Sequence, residues 1–165
     1  PGGIVAQREY NELKFYRERE NIISQDRELR EENPAMYEKE IIPERKYLEY
    51  QGVKISLAVR RREDLPVKIP EKDYTKWFDY DIIKENVFVR NRRAGDRIAI
   101  DKEGNTQKLK SYFVNEKIPS DKRDKIPLIA EKERILWIVG YRQSKAYQVT
   151  EQTKTVLEIT INGGT

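Results

Sequence analysis

The sequence predicts an α+β fold dominated by β-sheets or a sandwich, with one amphipathic helix at about residues 106–117 and a short second helix. Three observations predict it. Several short segments alternate apolar and polar residues with period two, the signature of half-buried strands. One segment switches to helical spacing, with Leu109, Tyr112, Phe113 and Glu116 at i, i+3, i+4 and i+7. A nearly unbroken apolar run, Arg134-Ile135-Leu136-Trp137-Ile138-Val139-Gly140, reads as a strand buried on both faces.

Taken in order, Ile4 to Tyr10 and Leu13 to Arg17 alternate on either side of Asn11-Glu12, which predicts two antiparallel strands and a tight turn. The stretch 18–45 is dense in charge and interrupted by Pro34 and Pro43, so it reads as loop with at most a short helical turn. Tyr47 to Tyr50, the turn Gln51-Gly52 and Val53 to Val59 form the clearest hairpin. Trp77-Phe78-Asp79-Tyr80 and Val87 to Arg92 add two β-leaning runs rich in aromatic and branched residues. Pro119 ends the helix, Ser120 caps a second short one that stops before Pro127, and Thr155 to Ile161 alternates as a last strand.

The chain of 165 residues is expected to be a single domain, 1–165, with a β-rich first half (1–85) and a basic α+β second half (86–165). The charge divides accordingly. Residues 1–85 hold 17 Lys and Arg against 19 Asp and Glu, whereas residues 86–165 hold 16 against 10. An excess of +6 confined to the second half points to a surface that meets a polyanion.

The sequence contains no Cys and no His. Disulfides, thiolate metal sites, Cys nucleophiles and every His-assisted mechanism are thereby excluded, leaving only carboxylate, Lys or Tyr chemistry. The Gly-Gly pairs at 2–3 and 163–164 lack the strand, Lys and Ser/Thr context of a phosphate loop. Asp79 with Asp81 is a weak oxygen pair, and no metal site is expected. No run of ~18 apolar residues or signal peptide occurs, so the expected location is the cytoplasm, with no membrane partner. Opening at Pro1, the chain is expected to be a piece of something longer.

The strongest local feature is Val89-Arg90-Asn91-Arg92-Arg93-Ala94-Gly95-Asp96-Arg97, with four arginines around a Gly-Asp turn. On a strand over 87–92, Arg90 and Arg92 are expected to project from one exposed face while Val87 and Val89 pack the other. Paired guanidinium forks suit phosphate oxygens; the plainer alternative is a charge-guarded edge strand. Asp96 is expected to cap the turn or pair with a neighbouring arginine rather than to act as an acid or base. Lys108, Lys110 and Lys117 on the helix, Lys122, Arg123 and Lys125 after it, and Arg142 with Lys145 would extend the basic face.

The segments Val89–Arg97, Lys108–Pro119, Arg123, Pro127-Leu128 and Ile135–Arg142 together resemble, in order and spacing, the C-terminal domain of the tRNA(Ile)-lysidine synthases. Gly2-Gly3, Arg8-Glu9-Tyr10 and Trp77-Phe78-Asp79 extend the likeness over nearly the whole chain, more loosely in the first seventy residues. The resemblance implies an ATP-dependent ligase that attaches lysine to the wobble cytidine of a minor isoleucine tRNA through an adenylated cytidine. In that family the chemistry, with ATP and Mg, belongs to an N-terminal domain with a Ser-Gly-Gly-x-Asp-Ser loop, a motif missing here. This chain then resembles the tRNA-binding tail, with no catalytic residue and no cofactor of its own. Its partners would be the tRNA, gripped at the acceptor stem, and the N-terminal catalytic domain.

Carried over position by position, the tRNA-binding residues would be Arg90, Arg92, Arg93, Arg97, Lys108, Lys110, Lys117, Arg123 and Arg142. The sequence departs from the family at Gln107 and Asn115 and in Ile100-Asp101-Lys102-Glu103-Gly104, which is expected to loosen the loop before the helix. An acceptor stem is an A-form duplex recognised by shape, phosphates and 2′-hydroxyls, for which a broad Arg/Lys face suffices. The alternative reading is a protein-interaction or scaffolding module with a solvated basic face. Its signs would be a sizeable exposed apolar patch and arginines spent in internal ion pairs. A free-standing carboxylate enzyme is the weakest reading.

Overall fold

A computed structural model describes residues 38–69 and 71–162, and the backbone pairing of two strands before them. Those two are β1 (Ile4–Glu9) and β2 (Glu12–Arg17), antiparallel, with Ile4 opposite Arg17 and Glu9 opposite Glu12. The predicted N-terminal hairpin is therefore present. Of the stretch read as loop, residues 18–37 lie outside the described residues, while Glu38–Glu40 departs from the expectation. It is a strand, β3, that pairs with a later strand, whereas Pro43–Arg45 is a single 3₁₀ turn, the short helical turn the sequence allows. Three residues are too few for alternation to register, so the pairing comes from the partner's open edge.

Tyr47–Tyr50 (β4) and Val53–Arg61 (β5) form the hairpin expected. Gln51 and Gly52 both take positive φ, 49° and 76°, the geometry of a type I′ turn whose twist matches that of its flanking strands. With Thr155–Asn162 (β13) and Thr75–Asp79 (β6) they make a four-stranded antiparallel sheet in the order β4-β5-β13-β6. The second sheet is mixed and has seven strands. Its order is β3, Val87–Arg90 (β7), Leu128–Glu131 (β10), Arg134–Ile138 (β11), Arg97–Ala99 (β8) and Thr106–Lys108 (β9), with Arg142–Gln143 (β12) also pairing β11. Only β8 and β11 run parallel among its pairs.

The sheets stack through one apolar core. Ile55 and Leu57 of β5, Phe78 of β6, and Leu157, Ile159 and Ile161 of β13 meet Val87, Val89, Ile129, Leu136 and Trp137 of the other sheet. Phe78 and Trp137 touch across it with ring centroids 6.3 Å apart. A second core lies on the opposite face of the seven-stranded sheet, where Leu109, Tyr112 and Phe113 of helix α1 (Leu109–Asn115) cover Ile98, Leu128, Ala130, Ile135 and Ile138. The run of β11 is thus buried on both faces, as its composition predicts. A helix of seven residues is marginal by itself. Burial of its three large side chains, at about 1.5–3 kcal/mol each, holds it in place.

The helix is shorter than the 106–117 expected. Its apolar face begins only at Leu109, and the β-branched Thr106 starts strand β9 instead, pairing with Ala99. At the other end Lys117 takes φ +53°, and the Ile118 N–H reaches back to the Phe113 carbonyl, a left-handed cap two residues before Pro119. The second helix, α2 (Ser120–Arg123), has Pro119 in the cap position that the sequence suggested for Ser120. No helix among the described residues is long and apolar enough to cross a membrane.

Candidate nucleic-acid interface

The arginine-rich turn between β7 and β8 is built around Asp96. Arg93 and Asp96 close it, Gly95 supplies φ +90°, and the Arg93 N–H donates to Asp96 Oδ2 at 2.7 Å. Arg90 enters from the strand end. Its Nη1 donates to Asp96 Oδ2 at 2.9 Å, its Nη2 to Asp96 Oδ1 at 2.8 Å, and further bonds go to the carbonyls of Asn91 and Lys132. Asp96 therefore pairs with a neighbouring arginine and holds its turn, as expected.

The exposure expected for Arg90 is overturned: only 3% of it is accessible. Alternation does place it opposite Val87 and Val89, but that face is covered as well, and the guanidinium is spent on bonds within the fold. Arg92 is half-buried, its Nε donating to Asp124 Oδ1 at 2.7 Å and its guanidinium 6.0 Å from the Phe113 ring centre. Arg93 is exposed and bonded to Glu38 at 2.6 Å. Arg123 is half-buried, with Nε on the Ile118 carbonyl at 2.7 Å. These four do not converge on a single open face.

The remaining five are more available. Arg97 of β8 bonds Thr106 Oγ1 through Nε at 2.8 Å, and Lys108 of β9 stands directly opposite it. Lys108, Lys110 and Lys117 are exposed. Arg142 leans on the Ile100 carbonyl at 3.3 Å; burial, and then the charge of Glu116, push the Tyr112 hydroxyl's pKa up despite an opposing pull from Arg142. The loop before α1, expected to be loose, is tied by Asp101: Oδ1 accepts from the N–H of Glu103 and Asn105, and Oδ2 from the Asn105 amide. These bonds, the Asn105 amide first, outweigh desolvation and hold the Asp101 carboxyl below its ordinary value.

Sequence reasoning missed Arg134, which the β8–β11 register sets beside Arg97. It also missed the carboxylates that occupy the arginines, because Glu38 and Asp124 are distant in sequence. Glu131 is a further unforeseen anchor. Burial pushes this carboxyl up, but the Tyr147 hydroxyl, the N–H groups of Glu85 and Lys84, and the charge of Arg134 together hold it below its ordinary value. A cavity of about 320 Å³ beside β7 is lined by Glu38, Glu85, Phe88, Arg90, Arg93 and Lys132 among others. Its cations are already paired, Arg93 with Glu38 and Lys132 with Glu85. Among the described residues no group of three or more acidic side chains is placed to hold a metal ion.

Comparison with known proteins locates this arrangement. Residues 87–159, from β7 into β13, match the TilS substrate C-terminal domain. The tRNA(Ile)-lysidine synthase of Caldanaerobacter subterraneus is 46% identical over 87 residues, 53% of this chain and 19% of that protein. The enzyme of Clostridium tetani is 38% identical over 110 residues, 66% of this chain and 24% of the relative, and that of Clostridioides difficile 30% identical over 148 residues, 89% and 31%. The chain thus spans less than a third of these relatives. A crystal structure of a TilS C-terminal domain superposes with a TM-score of 0.59 at 26% identity, covering 76% of this chain and 95% of that one. Residues 87–159 belong to the family of TilS substrate C-terminal domains.

Proposed function

We propose that this chain is the tRNA-binding part of an ATP-dependent ligase that attaches lysine to the wobble cytidine of a minor isoleucine tRNA in the cytoplasm, and that it grips the acceptor stem. The observation that carries this reading is the cationic pair on β8 and β9, half-buried Arg97 opposite exposed Lys108, with exposed Lys110 two residues further on in α1, all inside the matched domain. Such a surface suits the phosphates and 2′-hydroxyls of an A-form stem, which require no base readout. Arg90 supports the interface from within, by fixing the turn that starts β8. ATP and Mg belong, on this reading, to a separate catalytic domain of the longer protein, since the sequence here offers no phosphate loop.

Titration of the chain with isoleucine tRNA tests the proposal. With about five phosphate contacts, log affinity falls against log salt by roughly 0.7–0.9 per contact. Binding that shows no salt dependence overturns it. The scaffolding alternative draws on one observation, that Arg90, Arg92 and Arg93 are all occupied by carboxylates. Its second sign is weaker: the exposed large apolar side chains, such as Val59, Val67, Ile82 and Val114, come from separate elements. A chain that ignores tRNA yet binds another protein domain of the same ligase would favour that alternative.

A further inference from the structure

Arg97 of β8 has Lys108 of β9 opposite it on one side and Arg134 of β11 on the other. Partnered positions on adjacent strands put their side chains on the same face. That face is defined by the neighbours: Ile98 and Ile135 point into the core beneath α1, so Arg97, Arg134 and Lys108 stand on the side away from the helix. Three cations therefore form one row across three strands, roughly 10 Å long at a strand spacing of about 4.8 Å.

Among the described residues the row is short of counter-charge. The Lys108 side chain makes no hydrogen bond or ion pair to another described residue, and within the same set the Arg97 guanidinium bonds only the Thr106 hydroxyl and carbonyl. Arg134 approaches Glu131 at 3.5 Å with a side chain 54% exposed, but that carboxylate is buried and already accepts from Tyr147, Lys84 and Glu85. Like charges set directly opposite in a sheet weaken it. Three other arginines of the domain behave differently, Arg90, Arg92 and Arg93 each having a carboxylate within 2.9 Å.

We propose that Arg134, Arg97 and Lys108 form a single phosphate-gripping row that holds consecutive phosphates of one strand of the RNA stem, with Arg134 its previously unassigned member. This deepens the tRNA-binding reading and rests on it. A row that crosses three neighbouring strands out to the β9 edge can follow a sugar-phosphate backbone, whereas the cavity beside Phe88 carries its own carboxylates and disfavours polyanions. The geometry also sets the approach: the stem lies across the β9 edge on the face away from α1, and the occupied arginines of the β7–β8 turn stay out of contact.

The test uses the full chain and a fluorescent RNA hairpin carrying an isoleucine acceptor stem, titrated between about 50 and 200 mM salt. The variant R97Q/K108Q/R134Q is compared with K39Q/K68Q/K72Q, which removes equal charge from exposed lysines elsewhere. The row variant is expected to lose about two to three units of salt slope, one contact's worth per residue. The control is expected to keep the wild-type slope. Equal slopes for wild type and row variant overturn the row while leaving the tRNA reading intact; equal losses in both variants reduce it to bulk charge and overturn it too. A wild-type chain that fails to bind the hairpin overturns both. Thermal unfolding separates a structural role, since relief of like charges should hold or raise the melting temperature of the row variant. A fall in melting temperature with unchanged slope also counts against the row.

Discussion

Arg90 and Asp96 meet as a two-pronged ion pair inside the protein, with side chains only 4% and 1% exposed. Each prong is a charge-assisted bond, and further bonds run from Arg90 to the Asn91 and Lys132 carbonyls and from the Arg93 N–H to Asp96. The pair joins the end of β7 to the start of β8 and the β10–β11 turn, so it sets the platform from which Arg97 projects.

Breaking this pair from one side leaves a buried charge without its partner. R90A is expected to lower unfolding stability by about 3–5 kcal/mol, measured by urea denaturation, because removal of one member of a buried pair typically costs that much. The fraction that remains folded should bind tRNA with undiminished salt slope. A stable R90A protein with a shallower slope would mean that Arg90 reaches the ligand.

The contrast between Arg90 and the rest of the fold shows where sequence reading succeeds. Period-two alternation and a Gln51-Gly52 turn suffice for the β4–β5 hairpin, and the spacing of Leu109, Tyr112 and Phe113 suffices for α1, because both signals are local. Alternation also separates Arg90 correctly from Val87 and Val89. It carries no information about what covers the second face, and here Asp96 and the Lys132 turn cover it. The Arg134–Arg97–Lys108 row is less legible still, since it depends on a parallel pairing between strands more than thirty residues apart. The short strand β3 and the partners Glu38 and Asp124 depend in the same way on long-range pairing.

Glu131 should give the protein an acid-sensitive component. Its folded-state pKa lies below the ordinary 4.5, so near that pH the unfolded chain binds more protons than the folded one. The stabilisation is complete above about 4.5 and is lost as pH falls through the depressed folded value. E131Q is expected to cost about 1–3 kcal/mol at neutral pH, because the N–H groups of Lys84 and Glu85 lose a charged acceptor. Urea midpoints measured from neutral to acid pH should converge for E131Q and wild type as pH falls; parallel curves would refute the assignment.

Asp124 restrains Arg92 beside Phe113, on the α1 side of the sheet. Both side chains are partly exposed, 27% and 20%, so the pair is worth about 1 kcal/mol or less. D124N is expected to cost little stability while releasing the guanidinium on the α1 side of the sheet, away from the proposed phosphate row. Affinity for the acceptor-stem hairpin should therefore stay level. A few-fold rise would bring the stem to the α1 side of the sheet, against the approach proposed.

Lys117 ends α1 in the left-handed region at φ +53°, where a side chain with a Cβ is strained and glycine is not. The capping bonds from Lys117 N to the Val114 carbonyl and from Ile118 N to the Phe113 carbonyl involve backbone alone, so they survive replacement. K117G is therefore expected to stabilise the protein by about 0.5–1 kcal/mol, despite the larger conformational entropy of glycine in the unfolded chain. The same variant removes one exposed charge, so the salt slope of tRNA binding should change by no more than a single contact's worth. A destabilised K117G would show that the lysine side chain contributes packing that outweighs the relief of backbone strain.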